Sequence, residues 1–365
     1  MGVFNSPIEK FVHMNRLLGC ILVLFQFSAG ELMSQTVLAD PVAKLRNQRN
    51  YAQAYNQAIE AIKAGDFSQA AVFLDKALEF SANAPEALLQ RAKIFFTYQD
   101  YDASFQDIET LLKNKPETGE VWYLEGLLWM IQDSVQRALQ CMNEAIRRNF
   151  TTGDAFFYRG VLKTLQGDYS GAIYDYTMAI DKNLNHAVVF HERASVRRVV
   201  KDLQGALYDY RMAVGLDSAF VTAYNNMGQL KMILGDYQGA MEDFSRAIKF
   251  DPANHQAFNN RGQAYYSMGE YPKAVEDFYA AVVIDSAHAA TWNNLGNAYA
   301  KMEKYEEATA YYTKALQMDP SFAVAYLNRG FVNELLGKLE NACDDWNMAF
   351  SLGRNEAEKY IKECK

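Results

Sequence analysis

The sequence predicts an all-α protein in which helical hairpins are stacked in tandem. Nine consecutive segments of 34 residues align without a gap from Tyr51 to Glu356. Counted from the start of each segment, small residues recur at positions 8, 20 and 27, and large ones at positions 4 and 24. No run alternates between apolar and polar residues in the way a strand does. Since a hairpin of this size cannot bury its apolar stripe alone, we expect neighbouring hairpins to form an α-solenoid.

Residues 1–30 are predicted to be a secretory signal peptide. Arg16 precedes an apolar stretch of 14 residues that ends at Gly30, and such a stretch is shorter than the ~20 residues that span a bilayer. The small residues Ser28 and Gly30 suit a cleavage site. Cleavage after Ala39 and translation from Met14 are alternatives. A retained membrane anchor, or a cytosolic protein with a misassigned start, are the competing interpretations.

The remaining elements follow in order along the chain. Residues 31–50 are predicted to be a linker and the start of the first helix, because Pro41 suits the first position of a helix. A glycine at position 15 in five segments, followed by Asp or Glu in six, predicts a turn between two helices. The repeats are 51–84, 85–118, 119–152, 153–186, 187–220, 221–254, 255–288, 289–322 and 323–356, and residues 357–365 are predicted to form a capping helix.

One segment shows a family resemblance most clearly. Trp292, Leu295, Gly296 and Tyr299, followed by an Ala, Tyr, Ala and Pro pattern that ends at Pro320, resemble the tetratricopeptide repeat. The resemblance implies a right-handed superhelix in which the first helix of each repeat lines a concave groove. It also implies a non-enzymatic platform that binds other proteins, as extended peptides or helices.

Composition and charge exclude several classes of function. The chain has 36 Lys and Arg against 44 Asp and Glu, a net charge of −8, and this sign disfavours nucleic-acid binding. Four cysteines in 365 residues are too few for a disulfide scaffold. Cys343 and Cys364 could pair if the last two helices pack together. The favoured role for both, and for Cys141, is that of a small buried hydrophobe.

Five repeats combine an arginine at position 7 with an aspartate at position 23. Both positions lie eight residues from the turn, so they face each other across the hairpin and predict an ion pair within the repeat. A planar guanidinium suits a partly buried bidentate bond of this kind. We expect a structural and not a catalytic role for Arg91 with Asp107, Arg159 with Asp175, Arg193 with Asp209, Arg261 with Asp277, and Arg329 with Asp345.

The predicted groove differs between two halves of the chain. At positions 2, 5, 6 and 9, repeats six to eight carry ten primary amides among twelve residues, whereas repeats three and four are mostly apolar. A row of amides could hold the backbone of an extended peptide, or its members could brace the next helix. An apolar surface could receive an apolar helix, or its side chains could turn inward. The candidate partner-binding residues are Tyr123, Leu127, Phe157, Tyr158, Asn225, Asn226, Gln229, Asn259, Asn260, Gln263, Asn293, Asn294, Asn297 and Asn328.

No cofactor, metal ion or catalytic group is predicted. The five histidines lack metal-ligand spacing, and phosphate loops and nucleophile motifs are missing. The first functional hypothesis is a scaffold that binds a protein or peptide in its groove. The alternative is a structural assembly factor of a cell-envelope complex, acting through its convex face or its ends. Export to a bacterial periplasm or cell envelope is expected, with a cytoplasmic location as the alternative, and membrane contact only through the signal peptide or a partner.

Overall fold

A computed structural model describes residues 41–113 and 118–364, and all regular structure in these ranges is helical. The all-α class and the tandem helical hairpins are therefore confirmed. The predicted signal peptide, its cleavage sites and residues 31–40 of the linker lie outside the described residues. The chain divides into two compact units, of which the first ends at Leu184 and the second begins at Asn185.

In the first unit, repeats one to four supply eight helices. Their bounds are α1 Pro41–Lys63, α2 Phe67–Phe80, α3 Pro85–Thr97, α4 Tyr101–Lys113, α5 Gly119–Ile131, α6 Val135–Arg147, α7 Gly153–Gln166 and α8 Tyr169–Asp181. In each repeat the odd-numbered helix is the first helix and the even-numbered helix is the second. Helix α1 begins at Pro41, and it is longer than the other first helices because it includes residues that precede the first repeat.

In the second unit, repeats five to nine and the C-terminal segment supply eleven helices. Their bounds are α9 Ala187–Val199, α10 Leu203–Leu216, α11 Val221–Ile233, α12 Tyr237–Phe250, α13 His255–Ser267, α14 Tyr271–Ile284, α15 Ala289–Lys301, α16 Tyr305–Met318, α17 Ala323–Leu335, α18 Leu339–Ser351 and α19 Glu358–Ile361. Single 3₁₀ turns at Asn355–Ala357 and Lys362–Cys364 flank α19.

The turn inside each repeat has the same backbone conformation in all nine repeats. Position 15 has a positive φ where it is glycine, as at Gly65 (79°) and Gly235 (79°), and also where it is not, as at Lys201 (65°) and Glu303 (61°). In five repeats the next residue is an aspartate that accepts a hydrogen bond from the backbone N–H three residues on, as Asp236 does from Gly239 at 2.9 Å. This bond caps the second helix.

The five Arg–Asp pairs hold the two helices of their repeats together. In each pair Nε donates to Oδ2 and Nη2 donates to Oδ1, at 2.6–2.9 Å. In the second unit Asp209, Asp277 and Asp345 are at most 5% exposed. The bidentate geometry thus satisfies both carboxylate oxygens in a place that water scarcely reaches.

At least four of these arginines also connect consecutive repeats. The third guanidinium nitrogen, Nη1, donates to position 25 of the preceding repeat, at 2.7 Å for Asp75, 3.2 Å for Asn143, 3.1 Å for Ser245 and 2.9 Å for Thr313. This link was not predicted from the sequence, although the residue at position 25 carries a signal for it. Where the next repeat lacks the arginine, position 25 is Glu109, Arg211 or Tyr279, and none of these is a short acceptor.

The glycine at position 8 of repeat nine lets an aromatic ring approach the backbone closely. A Cβ atom on Gly330 would lie 2.5 Å from Nε1 of Trp346 and 2.6 Å from its Cδ1. The indole is 2% exposed, so it has little room to move. The same contact explains the glycine at this position in repeats four, six, seven and eight, where a Cβ atom would come within 3.0 Å of the ring at position 24: Tyr176, Phe244, Phe278 and Tyr312.

We expect Gly330→Ala to lower the free energy of unfolding by about 1–3 kcal/mol, the usual cost of overpacking a core. This cost exceeds the gain of ~1 kcal/mol that alanine brings to a helix. The matched control is Gly215→Ala in α10, because nothing lies within 4 Å of a Cβ there. Urea denaturation should show the control at least as stable as the natural protein, and a stabilised Gly330→Ala protein would contradict this account of the packing.

The C-terminal segment covers the last repeat and is covalently tied to it. A disulfide joins Cys343 in α18 to Cys364, with their Cα atoms 5.8 Å apart. The expectation that these two cysteines are free, buried hydrophobes is therefore wrong, because the segment folds back far enough to bring their sulfur atoms together. Tyr360 packs edge-on against Phe331, with ring centroids 4.7 Å apart. Cys141 is buried and free.

Candidate functional site

In the second unit the candidate amides join the first helices of successive repeats. We call the contact between position 5 of one repeat and position 6 of the next, which lie 35 residues apart, an amide rung. Asn294 Nδ2 donates to Asn259 Oδ1 at 3.0 Å, and Asn328 Nδ2 donates to Asn293 Oδ1 at 3.0 Å. A third rung joins Asn226 Nδ2 to Nε2 of His191 at 2.9 Å. The amides therefore brace the next helix in the free protein.

Further hydrogen bonds close the network in repeats eight and nine. Asn328 Nδ2 also donates to Asn297 Oδ1 at 3.1 Å, and the hydroxyl of Tyr312 donates to the same oxygen at 2.8 Å. Both donors of Asn328 are thereby used, since a carboxamide nitrogen carries two hydrogens. What Asn328 still offers outward is its carbonyl oxygen.

The candidate amides differ in how far solvent reaches them. Asn225 and Asn293, both at position 5, are buried, with 8% and 5% of their surface exposed. Gln263 is exposed, and the others are half-buried: Asn226, Gln229, Asn259, Asn260, Asn294, Asn297 and Asn328. We call the surface formed by positions 6 and 9 in repeats six to nine the first-helix face. An incoming chain can reach these amides directly, whereas it cannot reach Asn293.

The aromatic candidates of the first unit do not form an exposed apolar surface. Tyr123, Leu127 and Phe157 are 5%, 7% and 3% exposed, so the expectation of an open apolar surface at these three residues is wrong. The Tyr123 ring reaches Tyr158 on the next first helix, in the place that amides occupy in the second unit. Tyr123 lies 4.9 Å from Phe150 and 6.3 Å from Tyr158 between ring centroids.

Tyr158 is the aromatic candidate that stays half-buried. Its ring packs against Phe157, with centroids 5.3 Å apart. Burial and the nearby Asp154 carboxylate raise the pKa of its hydroxyl, so this group stays protonated at neutral pH. Tyr158 is therefore the aromatic side chain of this set that a partner could contact without rearranging the core.

A buried lysine in the first unit was not predicted from the sequence. Lys93 stands at position 9 of repeat two, is 7% exposed, and forms an ion pair with Glu120 at 2.5 Å. Burial lowers the pKa of its ammonium group, and the Glu120 carboxylate opposes this change. The two groups hold α3 against α5, so the space between first helices in the first unit is not uniformly apolar.

Repeat six lacks the arginine of the Arg–Asp pair. Met227 stands at position 7, and Asp243 at position 23 is 6% exposed. Lys231 takes over the pairing from one turn further along α11, with its Nζ 2.7 Å from Oδ2. Burial raises the pKa of Asp243 to about 6, and Lys231 compensates only in part. A single ammonium group therefore stabilises the buried Asp243 carboxylate only in part.

This raised pKa predicts a pH-dependent stability. Because the pKa of Asp243 in the folded state, about 6, lies above the value of ~3.9 in the unfolded chain, its favourable contribution is present below about pH 4 and is lost as pH rises to about 6. We expect the natural protein to lose about 1–3 kcal/mol relative to Asp243→Asn between pH 4 and 7. Urea titrations of both proteins at each pH unit measure this, and a constant difference would contradict the assignment.

The described residues carry no cluster of His, Cys, Asp and Glu side chains that could hold a metal ion. Burial and the adjacent Glu125 raise the pKa of the Cys141 thiol well above its usual value, which disfavours the reactive thiolate. Among the described residues no helix combines the length and apolarity that crossing a membrane requires.

Comparisons with known proteins match this architecture. Sequence profiles described as tetratricopeptide repeat match residues 89–151 and 289–322, and one described as TPR repeat matches residues 230–269 and 262–303. No curated protein sequence matches the chain.

Several solved structures share the fold. The C-terminal part of a TPR repeat-containing protein from Cytophaga hutchinsonii is 17% identical, with a TM-score of 0.57, and the match covers 66% of this chain and 98% of that one. A tetratricopeptide repeat protein from Parabacteroides merdae is 20% identical, with a TM-score of 0.53, over 68% of this chain and 98% of that one. Pseudomonas aeruginosa PilF is 20% identical, with a TM-score of 0.50, over 58% and 97%. At these identities the likeness concerns the fold.

Proposed function

Because the chain belongs to the tetratricopeptide repeat family, whose members in general bind proteins or peptides, we propose that it is a non-enzymatic scaffold that holds an extended polypeptide on its first-helix face. The observation that carries this proposal is the hydrogen-bonding capacity left over on the half-buried amides of repeats six to nine.

Bracing and binding are compatible at these side chains. A carboxamide offers two donors and an acceptor oxygen with two lone pairs. The rung uses one N–H of Asn294, and among the described residues no hydrogen bond occupies its second N–H or its oxygen. The first helices contact their neighbours directly, which sets the amides at regular intervals along the face. An extended backbone also presents donors and acceptors at regular intervals, and this match is independent of its side chains.

The charge of the face favours a neutral backbone over a charged terminus. At positions 2, 5, 6 and 9, repeats six to eight carry no Lys or Arg. Clamps for a terminal carboxylate or a phosphate rely on such cations. We therefore infer that internal peptide groups are recognised.

A selection from a random twelve-residue peptide library, followed by affinity measurements, tests the proposal. We expect Gln229→Arg with Gln263→Arg to weaken the selected peptides at least about tenfold, because two long charged side chains would occupy the first-helix face. The matched control is Gln204→Arg with Gln238→Arg, which adds the same charge at exposed positions of second helices. Equal losses in both proteins, or a library that yields no binder, would rule the proposal out.

A second candidate function is assembly through the second helices. Tyr208, Tyr279 and Val283 lie on second helices of the second unit and are 58%, 55% and 69% exposed. Large exposed apolar side chains of this kind favour contact with another protein surface. A stable oligomer of the purified protein in light scattering, lost on Tyr279→Ser with Val283→Ser, would favour this function over peptide capture.

We also propose that the protein is exported, to a periplasm or cell envelope. The Cys343–Cys364 disulfide supports this location, because disulfides persist in oxidising compartments and are rare in the cytosol. Thiol labelling of the protein in intact cells should find these two cysteines blocked. Free thiols at both positions would favour the cytoplasmic alternative.

A further inference from the structure

The first turns of α1 extend beyond the first repeat and make little contact with the rest of the protein. Helix α1 begins at Pro41, whereas the first repeat begins at Tyr51. From Pro41 to Arg49 every side chain is exposed except that of Ala43, which is half-buried. At a rise of 1.5 Å per residue these residues form a helical segment about 13 Å long. We call residues 41–49 the basic extension.

The basic extension carries three cations and no anion. Its charged residues are Lys44, Arg46 and Arg49, and all three are exposed. Among the described residues none of them has an ion-pair partner. The nearest acidic residues in the sequence are Asp40 and Glu60. Since the whole chain has a net charge of −8, the extension attracts anions that most of the protein repels.

These charges are unfavourable for the helix by itself. The N-terminal end of a helix has a partial positive charge, so acidic side chains stabilise its first turn and basic ones destabilise it. The first turn of α1 contains no acidic residue, but it contains Lys44. Neither packing nor internal charge therefore stabilises the extension, and an external anionic surface would supply the missing negative charge.

The basic extension also presents apolar side chains beside its cations. Val42 and Leu45 are 69% and 66% exposed. Counted from Val42, the residues Leu45, Arg46 and Arg49 follow at spacings of three, four and seven, and such residues share one face of a helix. On a face of this kind the apolar side chains can enter the boundary of a lipid bilayer while the longer arginines reach its headgroups.

The sequence before the extension favours a bilayer as well. The apolar stretch of the predicted signal peptide ends at Gly30, and ten residues separate it from Pro41. Ten residues span at most ~35 Å even when they are fully extended. While the apolar stretch is in a membrane, during export or as a retained anchor, α1 therefore begins close to that membrane.

We propose that the basic extension lies on the surface of an anionic lipid bilayer. Arg46 and Arg49 contact the lipid phosphates, Val42 and Leu45 enter the headgroup boundary, and the helix axis lies in the plane of the interface. Lys44 follows Val42 by two residues and is therefore on another face, from which it adds to the electrostatic attraction. This membrane contact is additional to the one expected through the signal peptide, and it does not involve the first-helix face.

Vesicle flotation with the full-length protein tests the charge. Three cations near an anionic surface strengthen binding by about a hundredfold at low ionic strength. We therefore expect the natural protein to bind vesicles of phosphatidylcholine with phosphatidylglycerol more tightly than vesicles of phosphatidylcholine alone. The variant Lys44→Gln, Arg46→Gln, Arg49→Gln should lose this gain, and should keep its binding to phosphatidylcholine and its melting temperature, because the three side chains are exposed.

The matched control makes the same change of charge at exposed positions on second helices and at the end of one, with Lys76→Gln, Lys182→Gln and Lys249→Gln. It should retain the gain from phosphatidylglycerol. A gain that persists without the three cations of the extension, or that falls equally in both variants, would overturn the proposal.

A second variant distinguishes a bilayer from a soluble polyanion. Val42→Ser with Leu45→Ser keeps every charge of the extension, so we expect it to bind soluble polyglutamate as the natural protein does. We also expect it to bind the anionic vesicles about tenfold more weakly, because two apolar side chains no longer enter the lipid. If the variant binds the vesicles as tightly as the natural protein and polyglutamate displaces both, the extension recognises acidic polymers and the bilayer is the wrong partner.

Discussion

Replacement of Arg261 by leucine is expected to lower the free energy of unfolding by about 3–5 kcal/mol, the usual cost of removing one partner of a buried ion pair. Asp277 would keep its 5% exposure but lose both guanidinium bonds, at 2.7 Å each. Burial already raises the pKa of Asp277 despite the arginine. The bond from Arg261 to Ser245 of the preceding repeat is lost as well.

The chain itself supplies the control for this substitution. Repeat eight has Leu295 and Tyr311 at the two positions and no ion pair. We therefore expect Arg261→Leu with Asp277→Tyr to be more stable than Arg261→Leu alone, because no unpaired carboxylate remains. Thermal and urea denaturation of the three proteins measure the order, and a double variant less stable than the single one would contradict the pairing.

Loss of the Cys343–Cys364 disulfide is expected to cost about 3 kcal/mol, the value for a loop of this length. The bond closes a sequence separation of 21 residues and holds Tyr360 over Trp346, with ring centroids 5.2 Å apart. Adding a reductant should lower the melting temperature of the natural protein. It should also speed hydrogen exchange in α18, the helix that the segment covers.

Cys343→Ser with Cys364→Ser is the control for the reductant. This variant should melt at the lower temperature from the start and should not respond to reductant. If the natural protein melts at one temperature whether oxidised or reduced, the C-terminal segment does not depend on the disulfide for its place.

Most of the fold can be predicted from the repeat. A residue that is atypical in one segment does not obscure a pattern that the other eight segments share. Position 15 illustrates the limit: glycine predicts the turn in five repeats, but Lys201 and Glu303 adopt the same left-handed backbone without it. There the stacked neighbours impose a conformation that the residue itself disfavours. The Cys343–Cys364 disulfide could not be predicted for a similar reason, since no repeat pattern describes how the last segment folds back.

The site was less predictable than the fold. Sequence spacing placed the amides on the first helices, yet it could not say whether they face solvent or one another. The burial of Tyr123 and Phe157 shows the difficulty, because they share position 5 with the buried Asn225 and Asn293 and with Asn259, which is half-buried. Whether Asn225 Oδ1 finds a hydrogen-bond donor depends on side-chain geometry between two helices, which no pattern within one repeat contains.

Site-specific photo-crosslinking in living cells tests the central claim most directly. A photoreactive phenylalanine analogue at Gln263, on the first-helix face, is compared with one at Glu276, an exposed position on the second helix of the same repeat. If the first-helix face holds another polypeptide, the probe at Gln263 captures one and the probe at Glu276 does not. Capture at Glu276 alone, or at neither position, would contradict the claim.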